Sequence, residues 1–285
     1  MSLPARVGIL AGGGPLPAQL AETLRQKGQE PFLVGFEGFA DETRLAPYPH
    51  EIIRLAAAGA ILKALRAHGC RELVLIGPVR RPSWRALRPD AEGVRLLARL
   101  GRAIFAGDDG LLAAIVRLLE EEGFRVRGAH EFLLADENRY GPWGRVRPDR
   151  QALADIQRAV HILSVMGPLD IGQGCVVQNG LTLAVEALEG TDAMLRRCGD
   201  LKQEGAGGVL VKMPKAGQEL RADMPAIGPV TVLKAAEAGV RGIAFPSQLT
   251  LVMDADRCIK EADRLGLFLY GLKPDSISDK RKKDI

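Results

Sequence analysis

Two lysines three residues apart, Lys212 and Lys215 in "VLVKMPKAGQELRADMPAIGPVTV", stand where an apolar strand gives way to a proline-broken loop. The loop continues through Gln218, Arg221 and Asp223. Fixed positive charges at a strand mouth suit a diphosphate, because they stabilise negative charge developing on a phosphoryl group in transfer. A carboxylate such as Asp223 is able to bind a magnesium ion or to take a proton from attacking water. Lysines and acids in a loop also occur simply as a solvated surface, so composition alone leaves both roles open.

Three further clusters have polar groups at places where backbone donors gather. Thr191 and Asp192 in "EGTDAMLRRCGDL" open a helix, where either would serve as the N-cap and where a phosphate would also be welcome. Asp108 and Asp109 in "FAGDDGLL" likewise open a helix and suit its dipole. In "ILAGGGPLPAQLAETLRQKG" the glycines Gly12, Gly13 and Gly14 lie between a strand and a helix whose start is set by Pro15 and Pro17. Backbone N–H groups of such a turn face a phosphate or a nucleoside edge in many proteins, although a tight strand-to-helix turn needs no ligand.

The glycine turn is a poor dinucleotide fingerprint. Gly12 and Gly14 fill the first two places of G-x-G-x-x-G, but Pro17 occupies the third, and Glu37 lies further on than the usual ribose-binding acid. A sugar-nucleotidyltransferase start would also need an arginine that "LAGGGPLPAQL" lacks. No G-x-S-x-G elbow and no G-x-x-x-x-G-K-[ST] loop occurs. "GDDGLL" lacks the second aspartate of G-D-x-x-D, and no D-x-H follows, so a calcineurin-like phosphoesterase is disfavoured. The four histidines have no zinc spacing, and Cys70, Cys175, Cys198 and Cys258 form no CxxC pair. Any metal should therefore be hard and carboxylate-bound, with Mg²⁺ the expected ion.

The elements that must position these residues alternate strand and helix through the first 130 residues. "RVGILAG", "PFLVGF" and "ELVLIG" read as strands. "PLPAQLAETLRQKG", "GAILKALRAHG", "GVRLLARLGRAI" and "DGLLAAIVRLLEEEG" read as helices, and "FRVRGAHEFL" as a further strand and turn. The fold class is α/β. An N-terminal Rossmann-like parallel-sheet domain is expected over 1–135, then a linker and connecting helix over 136–164, then a second α/β domain over 165–285 carrying catalysis, with a cleft between the two. Within the second, "CVVQNGLTLAVEAL" holds an Asn-Gly between two β-rich runs, a strong hairpin signal.

Composition narrows the partners. A net charge of +4 over 285 residues, with scattered arginines and 5% aromatics, gives no nucleic-acid footprint. No apolar run is long enough to span a bilayer, and the start enters a strand too soon for a signal peptide, so a cytoplasmic protein is expected. The tail "SDKRKKDI" reads as a solvated, disordered end whose basic block could be drawn weakly to anionic headgroups. Apolar helix faces lead to the expectation of a homodimer.

Taken together and in order, "GILAGGGPLP", "FAGDDGLL", "DIGQGCVVQNG…AVEALEGTDAML" and "VKMPKAGQELRADMPAIGPVTV" closely resemble the UDP-2,3-diacylglucosamine pyrophosphatases of lipid A biosynthesis. The two-domain type is meant, which is unrelated to calcineurin-like enzymes. Ala216 departs from the proline many members carry there. The resemblance implies Mg²⁺-dependent hydrolysis of UDP-2,3-diacylglucosamine to 2,3-diacylglucosamine 1-phosphate (lipid X) and UMP. It implies that Asp223 is the essential aspartate and the metal-site residue, with Lys212, Lys215 and Asp192 also catalytic. Thr191, Gln218, Asp108, Asp109, Gly12, Gly13, Gly14 and Pro15 would touch substrate. The acyl chains imply peripheral contact with the cytoplasmic face of the inner membrane, with "LLARLGRAIF" and "LLAAIVRLL" as an apolar trough, unless those leucines are ordinary core. The alternative is a nucleotide-sugar or NAD binding module, or an oxidoreductase with a degenerate Rossmann turn.

Overall fold

The computed structural model describes residues 6–80, 89–101, 108–133 and 139–274, with only the backbone described at 108 and 109. The side chains of Asp108 and Asp109, together with Gly107 and the basic tail, lie outside that description. The chain falls into two units. The first comprises Met1–Leu133 with the short segment Glu219–Asp223; the second comprises Leu134–Gln218 and Met224–Ile285.

The first unit is built on five parallel strands in the order β3-β2-β1-β4-β5. These are β1 (Arg6–Ala11), β2 (Pro31–Phe36), β3 (His50–Ile53), β4 (Cys70–Ile76) and β5 (Arg125–Arg127). Parallel strands buried on both faces read as continuous apolar runs, and β2, "PFLVGF", is buried at every position. Among the described residues the helices that accompany them are α1 (Leu16–Gln26), α2 (Glu42–Leu45), α3 (Ala58–Ala67), α4 (Ala91–Leu100), α5 (Asp108–Glu121) and α6 (His130–Leu133). Helix α1 buries Leu20, Ala21 and Leu24, at the 3–4 residue spacing of one helical face. Helices α3, α4 and α5 bury Ile61, Leu62, Leu65, Leu96, Val116, Leu118 and Leu119 with Phe32, Val34 and Leu73 of the sheet. Of the expected acyl trough, Leu96, Val116, Leu118 and Leu119 are thus core with Leu100 packed against them, while Leu97, Leu111 and Leu112 are half-buried.

The second unit is a sandwich of helices on both faces of a six-stranded sheet ordered β6-β13-β11-β9-β7-β8. Its strands are β6 (Gly141–Pro142), β7 (Gly174–Gln178), β8 (Leu181–Val185), β9 (Gly208–Lys212), β11 (Val240–Pro246) and β13 (Phe268–Leu272). Strands β9, β11 and β13 run parallel, while β6, β7 and β8 join antiparallel to their neighbours. A separate parallel pair links β10 (Ala226–Ile227) to β12 (Leu251–Val252). The helices are α7 (Arg150–Met166), α8 (Gly190–Gly199), α9 (Pro229–Glu237) and α10 (Ala255–Leu265).

Period-two alternation sorts the strand residues between the two faces. Val176, Leu210, Ile243 and Phe245 pack with α8, α9 and α10. Cys175, Val177, Val209, Val211 and Ala244 pack with Ala152, Ile156, Ala159, Val160 and Leu163 of α7. Helix α7, which falls within the stretch read as linker and connecting helix, lays its apolar stripe against β7 and β9 of the second sheet.

The Asn-Gly hairpin forms as expected between β7 and β8. Asn179 and Gly180 have φ of 51° and 78°, the left-handed pair of a type I′ turn. Asp155 of α7, fully buried, secures it. Its carboxylate accepts from the backbone N–H of Asn179 at 3.0 Å and of Gly180 at 2.7 Å, and from the Gln151 side chain at 3.1 Å.

Candidate active site

In the second unit, Lys212 is the last residue of β9, at the carboxyl end of a parallel strand, where α/β sheets place their ligands. Its Nζ donates to Thr191 Oγ1 at 2.9 Å, and that hydroxyl lies 3.1 Å from Glu186 Oε2. Thr191 is buried in the first turn of α8, while Glu186 directly follows β8. Lys215, three residues beyond Lys212, forms an ion pair with Asp170. Its backbone N–H is accepted by the side-chain oxygen of Gln218 at 2.9 Å, and Gln218 returns its own N–H to the Lys215 carbonyl at 3.2 Å. The loop is therefore a compact, self-bonded turn.

Lys212, Lys215, Thr191 and Gln218 thus belong to two small hydrogen-bonded groups of the same unit. Asp192 is directed elsewhere, into an ion pair with Lys234 of α9. Neither Thr191 nor Asp192 is the N-cap. The helix begins one residue earlier, at Gly190, and the cap position is Glu189, whose carboxylate accepts from the Ala187 N–H and from Arg197. Gly190 takes φ of 79°, which lets the chain turn into the helix without a side-chain cap.

Glu186 and Asp170 are the two participants that the sequence reading did not single out. An acid in "VEALEG" and one in "PLDIGQG" have no spacing that separates them from surface carboxylates. The trace they leave is in the glycines. A Cβ on Gly172 would sit 1.9 Å from the Glu186 carbonyl oxygen, and one on Gly174 would sit 2.6 Å from Glu186 Oε2. Only glycine permits the "DIGQG" segment to lie against Glu186.

In the first unit the turn at Gly12–Gly14 follows β1, beside the end of β4, where the strand order reverses. That is the binding crevice of a Rossmann-type sheet. The Gly12 N–H, however, donates to the Ile76 carbonyl and the Gly13 N–H to the Pro78 carbonyl, both at 2.9 Å. These two donors serve the turn rather than an anion. A Cβ on Gly12 would come within 2.3 Å of the Gly77 carbonyl oxygen, so the first glycine is required by contact between two loops. Pro15 stands at the N-cap of α1.

Asp223 is half-buried, and its N–H donates to the Glu219 carbonyl at 2.9 Å. Arg221 forks onto Glu219 and reaches Glu120 of α5 at 2.7 Å. Hydrogen bonds from Arg221 hold the Glu219 carboxyl below its usual range against the opposing effect of burial. The guanidinium is raised by the same pairing.

Among the described residues, no group of three or more His, Cys, Asp or Glu side chains is arranged to hold a metal ion. A zinc cage is not built from them. The donor chemistry that is present, single carboxylates near lysines, fits a magnesium ion that takes one or two protein oxygens and completes its shell with phosphate oxygens and water. No helix among the described residues is long and apolar enough to cross a membrane.

Fold and site define a two-unit α/β protein, Rossmann-like in its first half and bearing lysines at a parallel-strand end in its second. Residues 6–135 match the family model described as the LpxI N-terminal domain, and residues 139–270 match the LpxI C-terminal domain. Over 275 residues the chain is 43% identical to the UDP-2,3-diacylglucosamine pyrophosphatase LpxI of Caulobacter vibrioides, an overlap covering 94% of this chain and 98% of that relative. The chain belongs to the LpxI family.

Proposed function

We propose that this protein hydrolyses the diphosphate of UDP-2,3-diacylglucosamine in lipid A biosynthesis, releasing UMP and 2,3-diacylglucosamine 1-phosphate. The observation that carries the proposal is end-to-end similarity to a relative of that name, with both family domains matched in order. The geometry is in keeping with it. Lys212 and Lys215 supply two cationic groups to bind diphosphate oxygens, and Thr191 and Gln218 hold the strand end and loop that carry them. Exposed Leu188, Leu169 and Ile171 lie on the same segments as Glu186 and Asp170, giving apolar surface to acyl chains beside the polar groups.

Asp223 is the carboxylate proposed to hold Mg²⁺. When bound, the ion would neutralise the diphosphate and make phosphorus more susceptible to water. Peripheral contact with the inner-membrane surface follows from the amphiphilic substrate, and a homodimer is proposed as the working assembly. The test is UMP release from UDP-2,3-diacylglucosamine with Mg²⁺ and with EDTA. Release should require free metal, and Asp223→Ala should abolish turnover while substrate binding persists. Failure to release UMP under either condition would end the proposal, and full activity of Asp223→Ala would remove that residue's role.

A further inference from the structure

The hydrogen bonds around Lys212 have only one consistent direction. Lysine is donor-only, so Thr191 Oγ1 must accept from Lys212 Nζ, 2.9 Å away. The single hydroxyl proton of Thr191 then goes to Glu186 Oε2, 3.1 Å away, and a carboxylate is an acceptor there. Charge at both ends strengthens such a chain. Glu186 is itself fixed: its N–H donates to the Gly174 carbonyl at 2.8 Å, and Gly172 and Gly174 leave no room for a Cβ beside it.

From this we infer that Glu186 is a positioning residue that sets the polarity of the Thr191 hydroxyl and, through it, the direction of the Lys212 ammonium. Thr191 then acts less as a phosphate donor than as the fitting that aims a cation. With Glu186 removed, the hydroxyl proton loses its acceptor. It becomes free to turn toward other oxygens, and the lone pair that Thr191 Oγ1 offers to Lys212 Nζ loses its fixed direction. The inference rests on the reading of Lys212 as a diphosphate ligand.

The test uses the full chain and inorganic pyrophosphate as the probe, with binding measured by calorimetry alongside kcat and KM for UDP-2,3-diacylglucosamine. Glu186→Ala and Thr191→Val should each weaken pyrophosphate binding about tenfold, the scale of one charge-assisted hydrogen bond. The double variant should be no weaker than either single one, because both cut the same chain. Glu186→Gln keeps an acceptor oxygen and should recover most of the lost affinity, whereas Glu186→Leu, which keeps bulk without an acceptor, should not, and a packing role would predict recovery in both. In turnover, the Ala variant should raise KM more than it lowers kcat.

Unchanged pyrophosphate affinity in folded Glu186→Ala, or fully additive losses in the double variant, would overturn the inference. If Glu186→Ala does not fold, the comparison of Thr191→Val with Glu186→Gln decides it: equal losses in those two variants would overturn it as well. Should the wild type bind pyrophosphate but leave UDP-2,3-diacylglucosamine intact, the proposed substrate fails while the positioning role is still read from affinity.

Discussion

Lys215 and Asp170 show how one ion pair is tied to its surroundings. The lysine side chain is 10% exposed and the aspartate 32%, so the pair sits between an open surface bridge and a dry one. Surface pairs are worth about 0–1 kcal/mol, and breaking a buried one costs about 3–5 kcal/mol. Asp170→Asn should therefore destabilise the protein by about 1–3 kcal/mol, measured by urea unfolding. A loss confined to the surface-pair range would mean that the aspartate does not anchor the lysine. Lys212, Lys215, Thr191 and Gln218 could be picked out from the sequence because a strand end and a helix start mark them. Their partners could not: Asp170 meets Lys215 across 45 residues of chain, and Glu186, only 5 residues from Thr191, acquires its role when Lys212 reaches that threonine across 21 residues.

Among the elements, the long periodic ones were legible and the short ones were not. Helices α1, α3, α4 and α5 and the Asn-Gly hairpin follow directly from apolar spacing and turn residues. Helix α2 and strands β3, β6 and β10 have two to four residues each, too few to display a period. Strand β13 and helix α10 are not among the elements read from the sequence. Asp90 illustrates a junction that no local pattern reveals. Its carboxylate caps α4 by accepting from the Gly93 N–H at 2.6 Å, and it also accepts from Gly59 and Ala60 at the start of α3. One side chain thus joins two helix N-termini, reaching Gly59 across 31 residues of chain. Burial opposes its ionisation, yet these backbone bonds and nearby Arg54 bring its pKa below the ordinary value. Asp90→Ala should cost about 1–3 kcal/mol, more than a single N-cap, with both helices losing a partner. Thermal unfolding is the measurement, and a change within a few tenths of a kcal/mol would refute the shared cap.

For the whole molecule, stability should depend on pH at both ends. Asp90, Glu122 and Glu131 in the first unit and Asp149 and Glu189 in the second all have lowered pKa values. Groups lowered on folding stabilise above their unfolded values, near 3.8 for Asp and 4.5 for Glu, and that contribution is lost as pH falls through the folded values. The thiols have the opposite limit. Burial pushes Cys70 up to about 11, and Cys175 and Cys258 up to about 12, from an ordinary 9.0. Their contribution is present below 9.0 and lost as pH climbs toward those values. Melting temperature should accordingly be level from about pH 5 to 9 and fall on either side. A maximum confined to acid below pH 4 would contradict the carboxylate assignment.

The bond between Asp155 and the hairpin turn also bears on how the molecule ages. An Asn-Gly pair in a loose chain loses ammonia readily, because the glycine nitrogen swings onto the asparagine side-chain carbonyl and closes a five-membered imide. Here the Gly180 nitrogen is already committed, its hydrogen pointing 2.7 Å away into a buried carboxylate, and both residues are locked in left-handed backbone. The dipeptide most prone to chemical decay is thereby spared for as long as the fold lasts, and its slow conversion becomes a clock that runs only in unfolded copies.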